Sequence, residues 1–141
     1  RNGKNISQKF AHKYYDQYAL CIDFTAADLI QEAREKGHPW DLAKGFNDSL
    51  PISSFRPITE LKDIQNTNIS LNINGETVQK TSTSDMIFEI DELIAYISQF
   101  IFLKMGDIII TGTPTGVGPI HIGDKLEGFV EDQKLLDFEI R

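Results

Sequence analysis

The residues best suited to bind something small lie in one stretch, Gly106-Asp107-Ile108-Ile109-Ile110-Thr111-Gly112-Thr113-Pro114-Thr115-Gly116-Val117-Gly118-Pro119. A β-branched apolar run, Ile108 to Thr111, suits a buried strand. Gly112 to Pro119 have little side chain to pack, so they offer backbone amides and hydroxyls at the strand's end. Glycines there let a ligand approach the main chain closely. The same pattern also serves a plain turn between two strands. A phosphate-binding loop of the Walker type needs Gly-Lys-Ser/Thr opening a helix, and no lysine comes after these glycines before Lys125. A dinucleotide fingerprint must also lead into a helix, whereas Pro119, Gly123 and Asp124 signal a further turn.

Other chemically capable side chains are scattered. Asp23 sits between the end of an apolar run and the start of a helical pattern, where a simple turn or cap residue would also stand. Lys44 by itself reads as a solvated lysine. Cys21 lies within Ala19-Leu20-Cys21-Ile22 and reads as a small core residue, not a nucleophile. His12, His38 and His121 lack the spacing of zinc ligands. Tyr14, Tyr15, Trp40 and Phe46 read as packing residues.

The elements that must position these groups belong to one domain. The chain has 141 residues, 40% hydrophobic and 25% charged, enough for a real core. A net charge of -7 argues against nucleic acid as a partner, and an anionic ligand would need local positive charge or a metal. One cysteine cannot make an internal disulfide, so we expect a reducing, cytoplasmic setting. No apolar run is long enough to span a membrane, and no signal peptide is visible. The chain opens at Arg1, not methionine, so we expect residues 1–141 to be a catalytic domain lacking its amino-terminal part.

Gln17 to Ile22 predicts a buried strand. Thr25, three residues before Asp28, predicts a capped helix with Ala26, Leu29, Ile30 and Ala33 on its buried stripe. Gly37 and Pro39 stop it. Ile69, Leu71 and Ile73 alternate with polar residues up to Asn74-Gly75, a type I′ hairpin turn into Glu76–Gln79. Ile90, Leu93, Ile94, Ile97 and Ile101 mark a second amphipathic helix. Lys125–Val130 and Lys134–Ile140 predict a closing hairpin across Glu131-Asp132-Gln133. The sum is a β-rich α+β domain with two amphipathic helices.

Three blocks together resemble the fumarylacetoacetate hydrolase family: Ala19-Leu20-Cys21-Ile22-Asp23-Phe24-Thr25-Ala26, Gly37-His38-Pro39-Trp40-Asp41-Leu42-Ala43-Lys44-Gly45-Phe46, and the Gly106–Pro119 loop. Ile73–Gln79 and Thr83–Phe88 fit between the last two. The acylpyruvate hydrolases, oxaloacetate decarboxylases and tautomerases, and hydroxymuconate-type isomerases of the family look most similar. The resemblance implies a mixed β-sheet roll, a homodimer, a Mg²⁺ (or Mn²⁺) ion and a small 2-oxo acid substrate. It implies that Asp23 is a metal ligand and that Lys44 is catalytic, reaching the substrate's oxygens. It also implies that Gly112 and Thr113 hold the substrate carboxylate. Oxygen ligands suit hard cations, and a metal with a fixed cation stabilises developing enolate charge.

Two departures stand out. The Glu-x-Glu pair that relatives place upstream, and the lid His and Glu of hydrolytic members, are not in these residues; one aspartate cannot supply octahedral coordination, so we expect these residues alone to hold no tight metal site. Relatives of the acylpyruvase-like branch also carry Arg where this chain has Ala27 and Gln where it has Ile30. Arg34 is two turns away and is not expected to replace that Arg. Losing a charge-assisted hydrogen bond costs roughly 1.5–3 kcal/mol. The expected function is therefore a divalent-metal-dependent hydrolase, decarboxylase or isomerase of small 2-oxo (2-enol) acids such as acylpyruvates or oxaloacetate. The alternative is a non-catalytic dimer that keeps the fold.

Overall fold

The computed structural model describes all 141 residues. Strands β1 (Gln17–Tyr18) and β2 (Arg56–Pro57) pair as a short ribbon, and β3 (Asn68–Ile73), β4 (Glu76–Ser82), β5 (Lys125–Val130) and β6 (Gln133–Glu139) form a four-stranded sheet ordered β4-β3-β5-β6. All pairings are antiparallel. Three helices, α1 (Ala27–Lys36), α2 (Asp41–Lys44) and α3 (Ile90–Phe100), complete the expected α+β fold. None is long and apolar enough to cross a membrane.

The hairpins form where the turn chemistry placed them. Asn74 and Gly75 both have positive φ, 53° and 83°, as a type I′ turn requires. Asn74 also ties this turn to the next hairpin: its Nδ2 donates to Asp124 Oδ1 at 2.8 Å, and its Oδ1 accepts from Lys125 N at 2.9 Å. Strand β4 runs on to Ser82 because it pairs with β3 as far as Asn68.

Apolar burial divides into two clusters. Ile90, Ile94 and Ile97 of α3 pack with Ile6, Ala11 and Leu103, with Ile109 from the glycine loop resting against them. Inside the sheet, Leu126, Val130 and Leu136 are buried. Above it, the segment carrying Asp23 lies close. A Cβ on Gly128 would come within 2.7 Å of Leu20 Cδ2, and Phe24 meets Phe138 edge-on with ring centroids 6.4 Å apart. Leu20 and Phe24 thus anchor the strand-like segment on β5 and β6, and Asp23, of opposite parity, is presented away from those contacts.

Two expected strands differ. Gln17–Ile22 keeps regular pairing only at Gln17 and Tyr18, then continues with a single bridge between Cys21 and Ile52. Its backbone still bonds at alternate residues: Leu20 accepts from Ser53 N, Ile22 N donates to Pro51 O and Phe24 N to Ser49 O. The partner chain contains Pro51, which has no N–H to return, and a regular ladder breaks there. Ile108–Thr111 is no strand at all. Ile108 is 54% and Ile110 49% exposed, and residues 108–120 make no hydrogen bond to any part of the chain.

Candidate functional site

Asp23 and Lys44 meet although 21 residues separate them. The contact is built by backbone geometry: Ala26 N–H donates to Ala43 O at 3.0 Å, joining the start of α1 to the short helix α2 whose last residue is Lys44. Ala43 is buried at this junction, and a Cβ on Gly45 would come 2.9 Å from Asp41 O. Lys44 Nζ then lies 2.6 Å from Asp23 Oδ2 and 2.6 Å from Thr25 Oγ1. The side chains of Lys44 and Asp23 are 28% and 31% exposed, open enough to meet a ligand.

Thr25 departs from its expected role. The residue at the N-cap of α1 is Ala26, with no side-chain cap, and Asp28 turns back to accept from Leu29 N at 2.9 Å. The Thr25 hydroxyl is instead drawn to the ammonium of Lys44. Sequence pattern alone offered only a cap reading for Thr25, because the partner that claims it lies in another helix. The far end of α1 behaves as expected, with Gly37 at φ 63° and His38 N–H donating to Ala33 O.

Asp23, Thr25, Lys44, Gly112 and Thr113 all line one open cleft of about 1520 Å³. Of the four residues singled out from sequence as metal ligand and substrate binders, Asp23 and Lys44 are in direct contact, while Gly112 and Thr113 lie elsewhere on the wall of this extended cleft with no hydrogen bond to either. Gly112 has φ 111° and Gly116 φ 98°, conformations that favour glycine. Gly116 is fixed for a second reason, since a Cβ there would lie 2.2 Å from Val78 O. With no internal hydrogen bonds, the loop's amides and the Thr111, Thr113 and Thr115 hydroxyls are all available, which is what a carboxylate or phosphate requires.

Nearby titratable groups are structural. Burial, and then the charge of Asp23, push the Cys21 thiol up, which keeps it protonated and inert, as a core residue would be. The Tyr15 hydroxyl donates to Asp91 Oδ1 at 2.9 Å, and burial together with that carboxylate raises its pKa to about 12. No three His, Cys, Asp or Glu side chains cluster as metal ligands. Asp23 has one oxygen, Oδ1, without a hydrogen bond, so it suits one coordination position, but the residues present do not make a metal site by themselves.

The sequence pattern described as fumarylacetoacetate (FAA) hydrolase C-terminal matches residues 1–141. The chain belongs to the fumarylacetoacetate hydrolase family. It is 41% identical over 141 residues to mouse oxaloacetate tautomerase FAHD1, mitochondrial, covering all of this chain and 64% of that protein. It is 43% identical over 124 residues to the oxaloacetate tautomerase YcgM of Escherichia coli, covering 87% of this chain and 57% of that one. Among solved structures, the fumarylpyruvate hydrolase of Pseudomonas aeruginosa in complex with Mn²⁺ and pyruvate superposes with a TM-score of 0.93 at 31% identity, covering 99% of this chain and 60% of the other. The chain thus spans about three-fifths of the length of these family members.

Proposed function

We propose that this chain supplies the substrate-anchoring part of an enzyme acting on small 2-oxo (2-enol) carboxylic acids such as acylpyruvates or oxaloacetate. The observation that carries this reading is the Lys44 ammonium, held 2.6 Å from both Asp23 and Thr25 in the cleft that the unbonded Gly112–Thr113 backbone also lines. The Gly112 amide and Thr113 hydroxyl take the substrate carboxylate. Lys44 faces the 2-oxo oxygen, where a fixed cation favours the enolate over the oxo form. Oxaloacetate tautomerases and a fumarylpyruvate hydrolase, all acting on such acids by name, support this assignment.

We further propose a divalent cation, Mg²⁺ or Mn²⁺, with Asp23 as one ligand and the remaining ligands from outside these residues. The Mn²⁺ complex of the Pseudomonas relative supports a divalent ion in the family. When bound, such an ion supplies Lewis-acid polarisation of the oxo acid. The protein is also read as a homodimer of a reducing compartment, the cytoplasm; the free Cys21 supports the redox setting, while the mammalian relatives are mitochondrial by name.

The deciding experiment is calorimetry of Mg²⁺ and Mn²⁺ binding to the complete native polypeptide, with oxalate added as an enolate mimic. Saturable, oxalate-enhanced binding that disappears in Asp23→Ala is expected. A folded protein that binds neither ion, with or without oxalate, would overturn the metal-dependent reading.

A further inference from the structure

Charge is unevenly divided along the chain. Residues 1–15 hold Arg1, Lys4, Lys9 and Lys13 and no Asp or Glu, and all 21 carboxylate side chains come after them. Backbone bonds fix this basic segment against the end of α3 and the residues beyond it. Gly3 and Leu103 exchange N–H···O bonds at 2.9 and 2.8 Å, and Asn5 N donates to Ser98 O at 2.8 Å. Ile6, Ala11 and Leu103 turn into the core cluster. The antiparallel pairing of Gly3 with Leu103 therefore sends Lys4, Phe102 and Lys104 to the opposite, outer side, where all three are exposed.

Two aromatic rings on this surface stand among lysines. Phe10, 46% exposed, has Lys13 Nζ 4.9 Å and Lys9 Nζ 5.7 Å from its ring centroid. Phe102 lies opposite Lys4 in the pairing register and two residues before Lys104. Lys4 and Lys9 are five residues apart, at most about 17 Å of chain, so the two groups adjoin. Lys36, Lys44, Lys125 and Lys134 all pair with carboxylates, whereas Lys4, Lys9, Lys13 and Lys104 form no ion pair. Lys4, Lys9, Phe10, Lys13 and Phe102 also lie outside the cleft, so the reading proposed above makes no use of them.

Unpaired ammoniums gathered around exposed phenylalanine rings repel one another, and the rings offer water no hydrogen bond. Both costs are relieved on a surface that presents phosphate oxygens above an apolar layer: the ammoniums meet headgroups and the rings enter the acyl boundary. A lipid surface also asks for no shaped recess. The net charge of -7 does not forbid the contact, because in about 0.1 M salt charges beyond about 10 Å are largely screened. We propose that Lys4, Lys9, Phe10, Lys13, Phe102 and Lys104 form a docking surface for anionic phospholipid membranes. The protein would rest on such a membrane without crossing it, since no helix is long and apolar enough to span one.

The test is sedimentation of the complete native polypeptide with vesicles of phosphatidylcholine, alone or with about one-third phosphatidylserine, in about 0.1 M salt. We expect binding to the mixed vesicles only, and its loss in about 0.5 M salt, where screening is short-ranged. A lysine near an anionic surface contributes about fivefold in affinity, so Lys9→Gln with Lys13→Gln should bind about 25-fold more weakly. Phe10→Ser should weaken binding several-fold with the salt dependence retained. Oxo-acid binding should be unchanged in all these variants, which keeps the result separate from the reading of the cleft. Equal binding to the neutral vesicles, or undiminished binding by the double glutamine variant, overturns the proposal. No binding to either vesicle also overturns it and leaves an acidic protein surface as the occupant. If the double variant fails to fold, Lys4→Gln and the lipid and salt dependence of the wild type decide instead.

Discussion

At the scale of single residues, Lys44 is the group whose loss matters most. It bridges Asp23 and Thr25 and is the cation set against the proposed oxyanion. Lys44→Met keeps the stem and removes the charge. We expect kcat/KM for an oxo acid to fall about 10²–10³-fold, the cost of removing one preorganised oxyanion partner. The same change should move the urea midpoint little, since partly exposed ion pairs contribute at most about 1 kcal/mol. Equal losses of activity and stability would refute the assignment. Thr25 acts through Lys44 and is a positioning residue. Thr25→Val removes one hydroxyl from a charged donor, roughly 1.5 kcal/mol or about tenfold in kcat/KM. Because the hydroxyl alone is at issue, Thr25→Ser should restore activity, and a serine variant as poor as valine would point to packing instead. None of this triad was legible from local pattern. Asp23 and Thr25 look like turn and cap residues, and Lys44 looks solvated, until a bond between the backbones of Ala26 and Ala43 brings two helices together. Only the likeness to a family pointed to Asp23 and Lys44 in advance, and nothing pointed to Thr25 as more than a cap.

At the scale of elements, the glycine loop and the outer hairpin behave oppositely under substitution. Gly116 has φ 98° and no room for a Cβ beside Val78 O. In a firmly held segment, Gly116→Ala would store strain of order 1–3 kcal/mol. Residues 108–120 make no hydrogen bonds, however, so the loop can move away instead of straining the fold. The expected result is an oxalate affinity at least about tenfold weaker with a thermal midpoint within a few degrees of wild type. A large drop in midpoint would mean that the loop is part of the cooperative core. The hairpin β5–β6 is bound by charge. Glu127 and Asp137 are held below their usual range by hydrogen bonds from Lys134 and by nearby Lys125, Glu131 by Asn68, and Asp124 first by Asn74. Carboxylates with depressed folded-state pKa values add stability that is complete above their unfolded values of about 4 and is lost as pH falls through the folded ones. Urea midpoints should therefore be flat above pH 5 and fall below about pH 4, less steeply in Glu131→Gln. This hairpin and α3 were readable because their signals are local: a turn dipeptide, alternation and a helical period. The Ile108–Thr111 expectation failed because β-branched composition reports fitness for a pleated surface and not the presence of a partner strand. The Gln17–Ile22 expectation failed only in regularity, through a proline in the partner segment, which no single-strand pattern reveals.

At the scale of the whole molecule, surface area sets the argument. A compact monomer of 16.0 kDa exposes roughly 7,400 Å². This chain exposes 9952 Å², about a third more, and only 14 of its 141 residues are buried. The chain spans about three-fifths of the length of its family members, so surface that the rest of such a protein covers is counted in this excess. Part of it is apolar and contiguous on one element. The inner face of α3 packs Ile90, Ile94 and Ile97 into the core, while Tyr96 and Phe100, 61% and 68% exposed, stack edge-on at 5.3 Å on the other side. A helix face meant for water carries charged or polar residues there, and two adjacent aromatics require cover. We expect this face to contribute to the proposed dimer. Sedimentation of the native protein should give twice the monomer mass, and Tyr96→Glu with Phe100→Glu should yield a folded monomer, because neither side chain belongs to the core cluster. A native protein that sediments as a monomer would remove the dimer. One that stays dimeric with both glutamates in place would move the interface to another face of the molecule.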